Sequence, residues 1–205
     1  MRMLKVKYVL EGVAPLSFSK KCDDRPKKED PTDYEKRIWR DRCHYSSDGF
    51  VINPPSSTLK GFQDIAKQRS DTVPGKKRQT LTKYVGAGVI QDADVVEYVL
   101  VPDGKGGWKR ITRSDLESIT VFVPANGKVG DGARVNRIFP IIQPPWRIEG
   151  GLLVFSQEVI VNKDLIPEYF ELMGLLGGLG RFRPNSSSRG TNGRFKLIDC
   201  TMAEV

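Results

Sequence analysis

The chain has 205 residues, enough for one domain with a buried core, and 39% are hydrophobic against 28% charged, which excludes bulk disorder. Lysine and arginine number 33 against 25 acidic residues, a formal net charge of +8. No apolar run approaches the roughly 20 residues of a membrane span, the three cysteines make no disulfide scaffold, and the single histidine leaves almost no room for histidine triads or multi-histidine metal sites.

In chain order, residues 5–10 alternate polar and apolar in period two, which predicts a strand and not a leader peptide. An intracellular, cytoplasmic protein is expected. A turn over 11–15 leads into Leu16-Ser17-Phe18-Ser19. Residues 20–42 carry nine basic and seven acidic side chains, so nearly balanced a stretch that it reads as a mobile, solvated insertion. A short helix is expected within it over 31–42, capped by Thr32. Asp48-Gly49 signals a turn, and Phe50-Val51-Ile52 a short strand. Ser57 is the expected N-cap of a helix whose Leu59, Phe62, Ile65 and Ala66 share one face. Residues 70–83, polar and basic around Pro74-Gly75, read as a loop or finger. Residues 85–101 are strand-rich, 104–107 form a hairpin tip, and 108–112 return from it. A strand over 119–123, a glycine-rich loop over 125–132 and a return over 134–140 follow. The apolar runs on either side of Gly150-Gly151 predict a hairpin within 146–158. A second helix is expected over 165–176, capped by Asn162 or Asp164 and ended by Gly177-Gly178, with a closing strand over 195–198. This order suits an α+β fold with an antiparallel sheet. Two helices on one face of it, with inserted hairpins and finger loops, give the ferredoxin-like (RRM-like) plan. One domain over 1–205 is expected, with insertions at about 20–46 and 70–84.

A basic balance concerns partners: nucleic acid first, an anionic membrane surface second, against the ordinary alternative of a basic protein with no such partner. Two runs lack any acid. One is 76–83, with Lys76, Lys77, Arg78 and Lys83; the other is 181–196, with Arg181, Arg183, Arg189, Arg194 and Lys196. A phosphate backbone meets no competing carboxylate there. Walker A, GxSxG and CxxC motifs are absent, and Gly177-Gly178-Leu179-Gly180 follows a helix where a dinucleotide fingerprint follows a strand, so no cofactor is expected. Cys22, Cys43, His44 and Cys200 match no zinc-knuckle spacing; free thiols and no metal are the expectation. Ser56 and Ser57 open a helix whose free N–H groups and dipole favour an anion, with Lys60 one turn in; a plain capped helix with a solvated lysine weighs as much. Gly178, Gly180, Gly190 and Gly193 would let backbone N–H groups approach phosphates, while the arginines supply charge and Phe182 a ring for a base. The competing reading is a helix C-cap followed by an exposed turn; five cations without an acid speak against it.

Two segments carry a resemblance when taken together: Phe50-Val51-Ile52-Asn53-Pro54-Pro55-Ser56-Ser57-Thr58-Leu59-Lys60-Gly61, and Gly177-Gly178-Leu179-Gly180-Arg181-Phe182-Arg183-Pro184 with Gly190-Thr191-Asn192-Gly193-Arg194-Phe195. The pair resembles the RAMP superfamily, the repeat-associated RNA-binding proteins of CRISPR systems, which carry an I-P-x-S-S-L-K-G turn into the first helix and a late glycine-rich loop. Here Asn53-Pro54-Pro55 replaces the simple I-P, Thr58 is inserted before Leu59, and the second glycine pair is more widely spaced. The resemblance implies a ferredoxin-like palm that binds guide RNA without sequence preference. It implies copies of itself and other CRISPR-type subunits as partners, and no membrane. In some branches an aspartate after the first strand cleaves RNA, for which Asp23, Asp24 and Asp41 are the candidates; others process RNA with a histidine, for which His44 is the only one. A non-catalytic subunit is the leading expectation. A ribonuclease, a phage single-stranded nucleic-acid-binding protein and an inhibitor that mimics a CRISPR subunit stand as alternatives.

Overall fold

The structure is a computed structural model that describes residues 2–54, 56–76, 78–124, 133–187 and 189–205. Strand β1 (Leu4–Gly12) buries every second residue, as its period-two pattern predicts, and β2 (Leu16–Ser17) follows. Helix α1 (Pro31–Ile38) runs into a 3₁₀ turn (Trp39–Arg42), then β3 (His44–Tyr45) and β4 (Val51–Ile52). Helix α2 (Ser57–Arg69) and helix α3 (Leu81–Gly88) precede β5 (Val89–Gln91), β6 (Val99–Pro102) and β7 (Trp108–Arg110). Then come β8 (Glu117–Pro124), β9 (Arg134–Ile142), β10 (Arg147–Val154), α4 (Gln157–Val161), α5 (Leu165–Leu172) with a π turn (Met173–Gly177), and β11 (Phe195–Glu204). The glycine-rich loop expected over 125–132 lies outside the described residues.

The main sheet runs β11-β1-β10, and the far edge of β10 is shared by β5 and β6, with β7 beyond β6. Every pairing in it is antiparallel. Counting only β1, β5, β10 and β11, the order is last-first-third-second. This is the order produced by two crossovers, through α2 and through α5, that each skip one strand. The α+β antiparallel class expected from the sequence is the class observed. Helices α2 and α5 pack on each other, and α5 also packs on β11. Their shared core is aromatic: the Phe170 ring lies 4.6 Å from Tyr8 and 5.0 Å from Phe62, and Phe62 lies 5.4 Å from Tyr169. A second sheet has the order β2-β9-β8.

Several expectations need correction. Five α-helices are described where three were expected, over 31–42, from Ser57 and over 165–176. Residues 81–88 are helix, although Val85 belongs to a β-branched stretch that reads as strand; Leu81 and Val85 are both buried one turn apart. Residues 147–154 form one strand, not a hairpin. Gly150 sits opposite Tyr8, and a Cβ there would lie 2.3 Å from the tyrosine ring, so the glycine makes room for an aromatic and no turn is involved. The N-cap of α1 is Asp30, whose carboxylate accepts from the Thr32 and Asp33 N–H groups. Residues 20–33 are exposed apart from Cys22 and Glu29, as their charge balance implies, whereas Glu35, Ile38, Trp39 and Arg42 are buried. Arg37 pairs with Glu29 at 2.8 Å, and Arg42 with Glu35 at 2.8 Å in the interior.

Candidate nucleic-acid interface

The Glu35–Arg42 pair docks α1 on β9. Glu35 Oε2 accepts from the Ile138 N–H at 2.9 Å, and Arg42 Nη1 donates to the Ile138 carbonyl at 2.8 Å. Two side chains thereby satisfy one strand residue's peptide groups as a neighbouring strand would. Period two places Arg137 and Phe139 on the same face of β9. The Arg42 guanidinium lies 4.5 Å from the Phe139 ring centroid and the Arg181 guanidinium 4.0 Å from it. Arg181 also lies 4.5 Å from the Phe182 ring, which meets Phe139 edge-on at 5.9 Å. Burial first, then the charges of Arg42 and Arg137, hold the Arg181 guanidinium below its ordinary value. Its Nε is buried without a hydrogen-bond partner. Glu35, Arg42, Arg137, Phe139 and Arg181 line one cleft of about 600 Å³, which Lys20, Lys21, Arg25, Tyr34 and Asn136 also border. A half-buried guanidinium with an orphan N–H beside two other guanidiniums is a poor arrangement for an isolated protein and a good one for an anion.

The glycine-rich loop positions Arg181 by folding back on β2 and on itself. Gly180 (φ +70°) passes so close to β2 that a Cβ would lie 2.3 Å from the Ser17 carbonyl oxygen, and at Gly193 (φ +69°) it would lie 1.9 Å from that of Leu179. The Gly178, Leu179, Arg181, Asn192 and Gly193 N–H groups donate to the carbonyls of Met173, Gly193, Ser17, Phe182 and Pro15. This corrects the backbone-cradle expectation for those five amides: they are spent inside the protein, and the loop offers a ligand its side chains. Gly190 also lies against the Phe182 carbonyl. The face of Phe182 carries Arg181.

Other residues singled out from the sequence lie elsewhere. Arg183 is partly exposed and Arg189 exposed, at φ +44°. Arg194, its Nε buried and unpartnered, lines a separate groove with Lys196, Glu171 and Leu175. Lys76 pairs with Glu158 at 3.3 Å, Lys83 lies 6.0 Å from the Tyr84 ring, Arg78 is exposed, and Lys77 is outside the described residues. Neither this finger nor the start of α2 lines the arginine cleft.

At that helix start, Ser56 is left-handed (φ +64°) and makes no side-chain cap; its N–H donates to the Gln91 side chain. Ser57 is the first helical residue, so it does not cap the helix, and Lys60 is exposed. Beneath them the buried Glu97 carboxylate accepts from Tyr8 at 2.5 Å, Asn53 at 2.5 Å, Thr58 at 2.7 Å and Gln91 at 2.9 Å. The inserted Thr58 is therefore a structural residue, and a carboxylate of the protein already occupies the underside of the first turn. Burial raises the Glu97 carboxyl above its ordinary 4.5 despite these donors. A raised carboxyl favours the folded state most at acid pH and loses that contribution as pH rises through its folded value. The stability gap between the parent and Glu97→Gln, which cannot titrate, should therefore narrow as pH rises from 4.5 to 7, read by urea denaturation. A constant gap would contradict the assignment.

Among the catalytic candidates, Asp24 lines the arginine cleft and the adjoining cleft of about 530 Å³, which Asp23 and Asp41 line as well. Asp41 bonds Arg113, and the Asp23 carbonyl accepts from Tyr34. Burial, with Lys20 nearby, lowers the His44 imidazole, which is neutral at pH 7. Among the described residues no three His, Cys, Asp or Glu side chains gather as a metal site requires. Burial pushes the Cys43 thiol up to about 12 and the Cys200 thiol up to about 11, which disfavours the thiolates zinc needs. No described helix is long and apolar enough to cross a membrane.

No protein-family model matches the chain, and no curated protein matches it. Among solved structures it is similar to a chain in the cryo-EM structure of the Type III-B Cmr-beta bound to cognate target RNA, with a TM-score of 0.53 and 12% identity. The likeness is one of fold. The alignment covers 99% of this chain and 61% of the Cmr-beta chain, so the protein spans less than two thirds of the length of that relative.

Proposed function

We propose that the protein is an RNA-binding subunit of a CRISPR-type ribonucleoprotein, a single RAMP-like domain with insertions at about 20–46 and 70–84 that grips the phosphodiester backbone without reading sequence. The observation that carries the reading is the convergence of Arg42 and Arg181 on Phe139 in one basic cleft that Arg137 also lines. Two further facts support it: the last-first-third-second strand order the resemblance requires, and the likeness to a chain of an RNA-bound Cmr-beta. The ligand is guide RNA, the other partners are copies of this chain and further subunits of the same particle, and the compartment is the cytoplasm. Lys60, Lys76, Lys77, Arg78, Lys83, Arg183 and Arg189 extend the contact with the strand.

Electrostatic grip of this kind releases counterions. With about four phosphates neutralised, affinity for a single-stranded RNA of mixed sequence should fall roughly 50-fold between about 50 and 200 mM salt, with little difference between sequences. Fluorescence anisotropy across a salt series measures it. A flat salt response, or a preference for single-stranded DNA over RNA of the same sequence, would remove the reading. A second reading, an aspartate-dependent ribonuclease, has one observation in its favour: Asp24 borders the arginine cleft. RNA cleavage that stops on adding EDTA and in Asp24→Asn would establish it.

A further inference from the structure

The cleft over Phe139 differs from a simple electrostatic track. Its volume of about 600 Å³ is that of a small-molecule pocket, room for roughly one nucleotide and too little for a stacked strand. Its walls are mixed: Tyr34, Ile38 and Val135 offer apolar surface, and Ser19 and Asn136 offer hydrogen-bonding groups. Its cations are unequal. Arg42 is held by Glu35 and the Ile138 carbonyl, so its charge is largely answered from within. Arg181 has no ion pair among the described residues, and its buried Nε lacks a partner. Lys20 and Lys21 stand at the border, likewise without an ion pair among the described residues. Asp24 is the one carboxylate in the cleft besides Glu35.

From this we infer that the cleft is a subsite for a nucleotide carrying a phosphomonoester, either a free mononucleotide or the phosphorylated end of a strand. The inference rests on the reading of this cleft as phosphate-binding and goes beyond it in naming the group. An internal phosphodiester brings one charge and two terminal oxygens. A phosphomonoester brings about −1.5 to −2 and three terminal oxygens. Several cations around an orphan guanidinium N–H are matched better by the second, and planar guanidinium favours it through paired hydrogen bonds. A nucleoside of matching size then fills the space beside Tyr34 and Ile38.

The test uses the full chain. Unlabelled RNAs of one sequence, about 12 nucleotides long, compete against a labelled copy; they bear a 5′-phosphate, a 3′-phosphate or hydroxyls at both ends. Calorimetry with 5′-UMP and with uridine runs in parallel. A phosphorylated competitor about tenfold stronger than the all-hydroxyl one identifies the strand end as the source. Binding of 5′-UMP but not uridine, with no preference among competitors, identifies the free nucleotide. Either supports the inference, provided Arg181→Met removes the preference; Arg137→Met is the second variant if the first does not fold. Equal competition together with no binding of 5′-UMP overturns it and leaves the RNA-binding reading standing. A preference untouched in both variants overturns its assignment to this cleft. Binding of 5′-UMP by a chain that binds no RNA keeps the subsite and removes the RNA reading.

Discussion

Arg181→Glu should lose RNA affinity by a factor of about 100 while melting no lower than the parent. A hydrogen-bonded guanidinium–phosphate contact contributes about 1.5–3 kcal/mol, and a carboxylate in its place adds repulsion of the phosphate. The stability half of the result follows from the neighbours. In the free protein Arg181 lies near Arg42 and Arg137, partly buried, with no carboxylate of its own. A glutamate at 181 would turn those repulsions into attractions. A side chain whose removal costs binding and not stability is one kept for a ligand. Anisotropy and thermal unfolding on the same preparation check both halves. A variant that binds RNA as the parent does removes the cleft from the interface; one that binds weakly and melts far lower makes Arg181 a structural residue.

Gly193→Ala should do the opposite: lower stability by about 3 kcal/mol or more, with RNA affinity of the remaining folded fraction nearly unchanged. Alanine in the left-handed region costs roughly 1–2 kcal/mol. Its Cβ would also collide with the Leu179 carbonyl. Relieving that collision breaks the bonds from the Leu179 N–H to the Gly193 carbonyl and from the Gly193 N–H to the Pro15 carbonyl, worth about 1 kcal/mol each. Urea denaturation gives the loss of stability. A stable Gly193→Ala protein that no longer binds RNA would restore the backbone-cradle role that the engaged amides argue against.

Much of the fold is legible in the sequence where periodicity and turn chemistry act locally. The alternation that marks β1, the glycines between β6 and β7, and the apolar stripe of α2 each determine their element alone. Helix α3 is hidden because Val85 sits in a β-branched stretch, and only contact with α2 and α4 decides its state. Strand β10 is hidden because a double glycine signals a turn, and the ring that needs Gly150 comes from β1. The candidate site divides in the same way. Arg181 and Phe182 stand out in an acid-free run. Arg42 hides in a stretch whose charges balance, and Phe139 is one more apolar residue in a strand. The i, i+2 spacing of Arg137 and Phe139 is the one local signal that points to the cleft, because it puts a cation beside a ring on one strand face. Their meeting with Arg181 depends on pairing β9 with β2 and hanging the glycine-rich loop on Ser17, which no local pattern encodes.

The position of β1 bears on how the protein is made. Both neighbours of this first strand, β10 and β11, come from the last third of the chain. While the ribosome works through the intervening residues, β1 has an apolar face and two open edges but nothing to pair with. The second edge of β1 cannot be filled until synthesis has passed residue 204, and closure over such sequence distances is slow. Over that interval the unpaired edges of β1 are the part of the nascent protein most open to wrong pairing.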